Sequence, residues 1–101
     1  MKVFLDDNRH PPDDSWIWVM TTKEAIELLR AGEVEELDLD YDLGEPESFG
    51  NGMDVLAWIE HEMKENGFEA PRVITSHSGD QVARKRMEEV IRQIRTVAKG
   101  P

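Results

Sequence analysis

Cysteine is absent from this sequence of 101 residues. Without it the chain can form no disulfide bond, no cysteine-ligated zinc site and no thiolate nucleophile. The sequence also lacks an apolar run near the ~20 residues that a membrane-spanning helix needs, and its N-terminus lacks the charged and then apolar pattern of a secretory leader. We therefore expect a reduced, cytoplasmic protein that does not enter a membrane.

Basic residues are scarce in the first two thirds of the chain. Residues 1–71 carry five Lys or Arg against nineteen Asp or Glu, a charge of −14, whereas residues 72–101 carry seven against three, a charge of +4, and the two sum to −10. Nucleic acid is not expected across the acidic portion, where its phosphates would be repelled. That portion could instead steer a basic protein partner. The basic segment is either available to an anion or is a solvated helix face.

The pattern of apolar residues predicts four short strands and three helices in a single domain, residues 1–101. Pro11 and Pro12 exclude a helix between the first two strands, because proline lacks a backbone donor and favours extended geometry before it. The predicted strands are residues 1–5, 16–20, 34–39 and 72–76. The predicted helices begin after Thr21, Gly52 and Ser78, and Thr21 and Ser78 are the expected N-caps.

This order of elements predicts an α/β fold. Right-handed crossovers place the second strand on one side of the first, and the third and fourth strands on the other, so that the strand order is 2-1-3-4. We predict a minimal flavodoxin-like, three-layer fold with a four-stranded, mainly parallel sheet. In such sheets ligands bind at the carboxyl ends of the strands where the strand order reverses, which here is between the first and third strands.

Acidic residues follow the first and third predicted strands at that edge. Asp6 and Asp7 come after the first strand, and Asp40 and Asp42 come after the third. Clustered carboxylates repel one another unless they are protonated or bound to a cation. A Mg²⁺ or Mn²⁺ ion suits this edge, because such an ion takes carboxylate oxygens and completes its shell with water and phosphate. Asp42 also suits a second role, capping the turn after it. The predicted metal ligands are Asp6, Asp7, Asp40 and Asp42.

Four further residues at this edge suit phosphate chemistry. Arg9 can bind phosphate oxygens through two parallel N–H groups, or it can pair with the acidic residues. His77 can act as a general acid or base near neutral pH, or it can hydrogen-bond a backbone carbonyl. Ser78 and Gly79 precede the last helix, whose N–H groups and dipole attract phosphate. We predict that His77, Arg9 and Asp40 are catalytic, and that Ser78, Gly79 and Arg9 bind phosphate.

Four short motifs occur along the chain in an order that is typical of one family. They are LDDNRHPP from Leu5 to Pro12, LDYDLG from Leu39 to Gly44, GNG from Gly50 to Gly52 shortly before LAW, and HSGD from His77 to Asp80. With these motifs the sequence resembles the cyclic-phosphate processing receiver domain family. Two positions differ from the family pattern. Tyr41 stands where the family usually has His, and Gly79-Asp80 replaces a small residue and Asn.

The resemblance implies a receiver-like fold and a metal-dependent phosphoesterase that acts on a cyclic phosphate of RNA or of a nucleotide, as in RNA repair. Ordinary response-regulator receivers suggest an alternative in which Asp40 accepts a phosphoryl group, although the chain has neither their fifth strand nor the lysine that ends it. A third hypothesis is a catalytically silent interaction module. The implied partner is a phosphate-containing small molecule or an RNA end, and the oligomeric state is left open.

Overall fold

Four strands form one sheet in the computed structural model, which describes residues 1–41, 43 and 50–98. The strands are β1 (Lys2–Leu5), β2 (Trp16–Val19), β3 (Glu36–Leu39) and β4 (Val73–Ser76). Every neighbouring pair of strands is parallel, and the order across the sheet is β2-β1-β3-β4. The predicted α/β class, parallel sheet and strand order are therefore confirmed.

Side-chain caps define where the first two described helices begin. The hydroxyl of Thr21 accepts a hydrogen bond from the N–H of Glu24, as predicted. Asn51 and Asp54 form a capping box at the start of the second helix. The helices are α1 (Thr22–Arg30), α2 (Gly52–Asn66) and α3 (Gln81–Ala98).

No helix in the described part of the chain combines the length and the apolar character that crossing a membrane requires.

The N-cap of α3 differs from the prediction. Asp80, and not Ser78, accepts hydrogen bonds from the N–H groups of Val82 (3.0 Å) and Ala83 (3.2 Å). Ser78 lies two residues earlier, where its hydroxyl oxygen accepts from the N–H of Asp80 at 3.1 Å. Both residue types are favoured N-caps, but only Asp80 lies next to the first turn. A carboxylate therefore occupies the positive end of α3.

All three described helices pack on the same face of the sheet. Leu5 and Leu37 point to that face and are buried in one hydrophobic core with residues of α1, α2 and α3. The connections β2-α1-β3 and β3-α2-β4 run in the same direction across the sheet, and right-handed crossovers that run in one direction place their helices on one face. The connection from β1 to β2 runs the other way, but it is the loop that Pro11 and Pro12 impose.

The opposite face of the sheet is consequently open, and the predicted third layer is not found among the residues that the structure describes. Phe4 is buried on this face but does not belong to the helix-packed core. Its ring is covered by Trp16 and His77, at centroid distances of 6.2 and 4.6 Å. Side chains rather than helices therefore protect this face where it meets the carboxyl edge of the strands.

Gly52 brings the first turn of α2 against the strand end that carries Asp40. The N–H of Gly52 donates to the carbonyl of Tyr41 at 3.1 Å. A Cβ at position 52 would overlap the backbone carbonyl oxygen of Asp40 and would come within 2.7 Å of Met87 Cε. This close approach requires glycine, and it ties α2 to the edge of the sheet.

Gly52→Ala is expected to destabilise the domain by about 1–3 kcal/mol, the usual cost of overpacking, although alanine is the better helix former. Urea unfolding followed by circular dichroism measures the change. Gly79→Ala is the matched control, since a Cβ there would meet Arg9 Nη2 at 3.5 Å, an ordinary contact. Equal stability of the Gly52→Ala variant and the wild type would contradict the close packing.

Candidate functional site

A cleft of about 460 Å³ opens at the carboxyl edge of the sheet. It is formed by the segment after β1, the residue after β3 and the segment before α3. Four carboxylates and one guanidinium belong to its lining, so the cleft is strongly negative. We call it the acidic cleft. The lining residues are Asp6, Asp7, Asn8, Arg9, Asp40, Ser78, Gly79 and Asp80.

Asp6 is a buried carboxylate with only 1% of its surface exposed. Its Oδ1 accepts hydrogen bonds from the N–H groups of Asn8 and Arg9, both at 2.9 Å, and its Oδ2 lies 2.9 Å from His77 Nε2. Burial acts to raise the pKa of this carboxyl, but the hydrogen bonds from Arg9, Asn8 and His77 outweigh it and lower the pKa below its ordinary value. Asp6 is therefore ionised at neutral pH.

His77 lies between two carboxylates. Its Nε2 contacts Asp6, its Nδ1 lies 2.9 Å from Asp38 Oδ1, and its ring stacks on Phe4 with the two planes 7° apart. Burial acts to lower the pKa of His77, but Asp38 and Asp6, helped by the charge of Asp40, raise it above its ordinary value of 6.5. A ring that can donate to a carboxylate from each nitrogen favours the protonated form. The two carboxylates thus favour a positive charge on His77 at the buried end of the site.

Asp40 is the second buried carboxylate, with 8% of its surface exposed. Burial raises the pKa of Asp40 and the charge of Asp6 raises it further, against the opposing charges of His77 and Arg9. One carboxylate oxygen each of Asp6 and Asp40 and one ring nitrogen of His77 lie within 4.8 Å of one another. These three residues form a candidate metal centre.

The structure brings some of the predicted metal ligands together and leaves others apart. Asp6 and Asp40 belong to the candidate metal centre, whereas Asp7 is exposed and lines the acidic cleft outside that group. Asp42 lies outside the described residues. His77 follows β4, one strand farther out than β3, yet its side chain reaches across β3 to Asp6, the residue directly after β1.

Arg9 is the only basic residue among the described residues that line the acidic cleft. Its Nη1 donates to the backbone carbonyl of His77 at 3.1 Å, and its Nη2 lies beside Gly79, where a Cβ would stand 3.5 Å away. Within the described part of the chain its guanidinium forms no ion pair with a carboxylate. A planar guanidinium of this kind can bind two phosphate oxygens through parallel N–H groups.

The segment before α3 offers less to a phosphate than the sequence predicts. Ser78 is buried, and its hydroxyl oxygen already accepts the N–H of Asp80. The carboxylate of Asp80 occupies the N–H groups of Val82 and Ala83 and adds a negative charge to the cleft lining. The helix end beside the cleft is thus already capped by an anion.

Asp38 and Asp80 are two acidic residues that sequence reasoning did not assign to the site. Asp38 alternates with Leu37 and Leu39 along β3 and pairs with Phe4 of β1, so it lies on the open face of the sheet with Phe4. A charged residue inside a short apolar strand was the available signal. For Asp80 the signal was an Asp directly before a predicted helix, where that residue type is a favoured cap.

Comparison with known protein families identifies a relationship that covers most of the chain. A family model described as cyclic-phosphate processing Receiver domain matches residues 1–93. No curated protein and no solved structure matches the chain. Tyr41 stands at the position where the family pattern has His. Its side chain is partly buried and packs against the hydrophobic core. Tyr41 is not among the described residues that line the acidic cleft.

Asp38→Asn is expected to lower the pKa of His77, because it removes one of the carboxylate charges that face the ring. In the metal-free protein the raised pKa of His77 contributes stability that is fully present below the unfolded-state value of 6.5 and is lost as pH rises through the folded-state value. In the variant this loss should be smaller and should be complete at a lower pH. An NMR titration of the His77 ring and thermal unfolding across neutral pH, both with chelator present, measure these effects.

Asp14→Asn is the control for this experiment, because it removes an equal charge from an exposed residue outside the acidic cleft. It should leave the titration of His77 unchanged. A His77 titration that is the same in Asp38→Asn as in the wild type would show that the Asp38 carboxylate does not support the ring.

Proposed function

Because the chain belongs to the cyclic-phosphate processing receiver domain family, we propose that it binds a divalent cation and hydrolyses a cyclic phosphate ester of a nucleotide or of an RNA end. The cation proposed is Mg²⁺ or Mn²⁺. The observation that carries the proposal is the charge of the acidic cleft, where four carboxylates and one guanidinium surround about 460 Å³. A space of this size suits a small ligand.

A phosphate ester can enter this cleft only if the negative charge of its lining is offset. Four carboxylates repel the phosphate, while Arg9 supplies one opposing charge within the lining. A bound divalent cation is often the largest local charge in such a site and reverses its electrostatic balance. Binding of the cation and binding of the phosphate are therefore expected to be coupled.

Asp6 and Asp40 would hold the cation, since carboxylate oxygens are the ligands that Mg²⁺ and Mn²⁺ prefer. The raised pKa of Asp40 fits this role, because a cation would favour the ionised form that burial and Asp6 disfavour. His77 has a different role in the observed geometry. Its Nε2 is engaged by Asp6, so it orients a metal ligand, as the outer residues of metal sites do.

Hydrolysis of a cyclic phosphate requires water to attack phosphorus while the bond to one ring oxygen breaks and that oxygen gains a proton. A bound divalent cation would supply a Lewis acid for the phosphate and would lower the pKa of a coordinated water. Arg9 would bind the non-bridging phosphate oxygens through its N–H groups. The walls of the acidic cleft would orient the ester for this attack.

His77 is the predicted donor of the proton to the leaving oxygen. Both of its ring nitrogens contact carboxylates, so transfer from Nε2 requires the hydrogen bond to Asp6 to open. While that bond is closed, His77 keeps Asp6 ionised and correctly oriented. Removal of His77 should therefore stop the reaction through either role.

Mg²⁺ or Mn²⁺ is expected to raise the melting temperature of the wild-type domain. A ligand at ten times its Kd that binds only the folded state adds about 1.4 kcal/mol, or about 5–10 °C for a domain of this size. Asp40→Asn should abolish the shift, because it removes one of two oxygen ligands, and Asp14→Asn should retain it. Absence of a shift in the wild type at millimolar metal would favour the silent interaction module.

Asp40→Asn and His77→Ala are each expected to abolish hydrolysis of nucleoside 2′,3′-cyclic phosphates and of RNA with a cyclic-phosphate end. Chromatography of the phosphomonoester product, with and without added metal, measures the activity, and circular dichroism checks that each variant is folded. EDTA should stop the wild-type reaction. Hydrolysis retained by both variants would reject this mechanism.

Treatment with acetyl phosphate or beryllofluoride separates hydrolysis from the signalling alternative. A stable mass increase at Asp40 would support a phosphoacceptor role. The acidic cleft favours hydrolysis, because Arg9 is the single basic group in its described lining, and that lining includes no lysine that could respond to a phosphoryl group on Asp40.

A further inference from the structure

The open face of the sheet carries a second cleft, which encloses about 410 Å³. Its lining consists mainly of rings: the indoles of Trp16 and Trp18, the imidazole of His10 and two prolines. Since the described helices all pack on the other face, none of them covers these rings. We call this the aromatic cleft.

The two indoles of the aromatic cleft are held in place by neighbouring groups. Trp18 Nε1 donates to the backbone carbonyl oxygen of Asp6 at 2.7 Å. Phe4 packs edge-on against Trp16, and Lys2 Nζ lies 5.2 Å from the centroid of the Trp16 ring. Rings that are already ordered lose little freedom when a ligand stacks on them, so they form a prepared binding surface.

The aromatic cleft and the acidic cleft share the segment from Asp6 to His10. Asp6 contributes its carboxylate to the acidic cleft, and its carbonyl oxygen holds Trp18 in the aromatic cleft. Arg9 lines the acidic cleft, and His10, the next residue, lies 4.5 Å from Trp18 between ring centroids. The two clefts are therefore neighbours along this segment, an arrangement that suits a ligand with a phosphate at one end and a flat ring at the other.

We propose, on the basis of the proposed function, that the aromatic cleft binds the nucleobase of a nucleotide whose phosphate occupies the acidic cleft. Stacking on an indole suits every base, because each base has a π-face. Asp13 and Asp14 also line the aromatic cleft and would repel a phosphate there. The ligand therefore has one favoured orientation, with its base in the aromatic cleft and its phosphate in the acidic cleft. The base and phosphate can belong to a free nucleotide or to the end of an RNA strand.

Three probes test this proposal: adenosine 3′-monophosphate, inorganic phosphate and adenosine, each titrated into the domain with Mg²⁺ present. None of them is a cyclic ester, so turnover does not disturb the measurement. Calorimetry measures the affinities, and fluorescence of a Trp58→Phe variant reports on Trp16 and Trp18 alone. We expect the nucleotide to bind at least about fivefold more tightly than inorganic phosphate and to change the indole emission.

His10→Ala is the main test variant, because His10 is exposed and its removal should not affect folding. It is expected to weaken nucleotide binding roughly fivefold or more while the affinity for inorganic phosphate stays the same. His61→Ala, which removes an exposed imidazole from α2, is the matched control and should change neither affinity. Trp16→Leu is a second variant, which keeps an apolar side chain but removes a stacking surface.

The outcomes distinguish this proposal from the proposed function. Equal affinity for nucleotide and inorganic phosphate, unchanged by either variant, would overturn the base site and leave the phosphate site standing. Binding of adenosine that depends on His10, without binding of phosphate, would support the base site and reject the proposed function. Failure of every probe to bind would overturn both.

A dinucleotide with a 3′-phosphate distinguishes the two sources of the ligand. Tighter binding of the dinucleotide than of adenosine 3′-monophosphate identifies an RNA end as the ligand. Equal or weaker binding identifies a free nucleotide. Either result is consistent with base stacking in the aromatic cleft, provided that His10→Ala weakens the binding of the ligand concerned.

Discussion

The buried charge of Asp6 is the constraint on which the rest of the site depends. An ionised carboxylate with almost no exposure is tolerated only when hydrogen bonds and an opposite charge surround it. The turn after β1 supplies two N–H groups, and this turn also carries Arg9 into the acidic cleft. His77 supplies the opposite charge from the end of β4. The contacts that stabilise this one carboxylate therefore also position Arg9 and His77, two of the groups that a phosphate would meet.

The layering of the fold decides what can lie beside this carboxylate. Helices on one face of the sheet bury the strand residues that point to them, while none of the described helices covers the other face. The open face is the one on which His77 stacks on Phe4 and on which Trp16 and Trp18 lie. A helix packed on that face would cover these rings. A small domain can thus carry two adjoining clefts, because no helix in the described part of the chain covers the face on which the second one lies.

The sequence predicts the sheet and the convergence of Asp6 and Asp40 because both follow from short-range rules. Residues directly after parallel strands meet at one edge whatever the details of packing. The contacts of His77 could not be predicted, since its side chain leans over β3, where it meets Asp38, and reaches Asp6 beyond that strand. The choice of Asp80 over Ser78 as a cap depends on backbone geometry that residue preference alone does not determine. The third layer was expected from flavodoxin-like folds, although the direction of the crossovers already argued against it.

The contact of His77 with Asp6 joins the last strand and helix to the first strand through side chains alone. Proteins commonly open in parts, and a terminal strand and helix are frequent units of such local opening. Here, separation of β4 and α3 would deprive the Asp6 carboxylate of its contact with His77 and would remove Ser78 and Gly79 from the cleft. The loss of this contact carries an energetic penalty that couples β4 and α3 to β1, so detachment of β4 and α3 from the sheet is disfavoured. The same charge that prepares the site for a ligand thereby increases the cooperativity with which the whole domain unfolds.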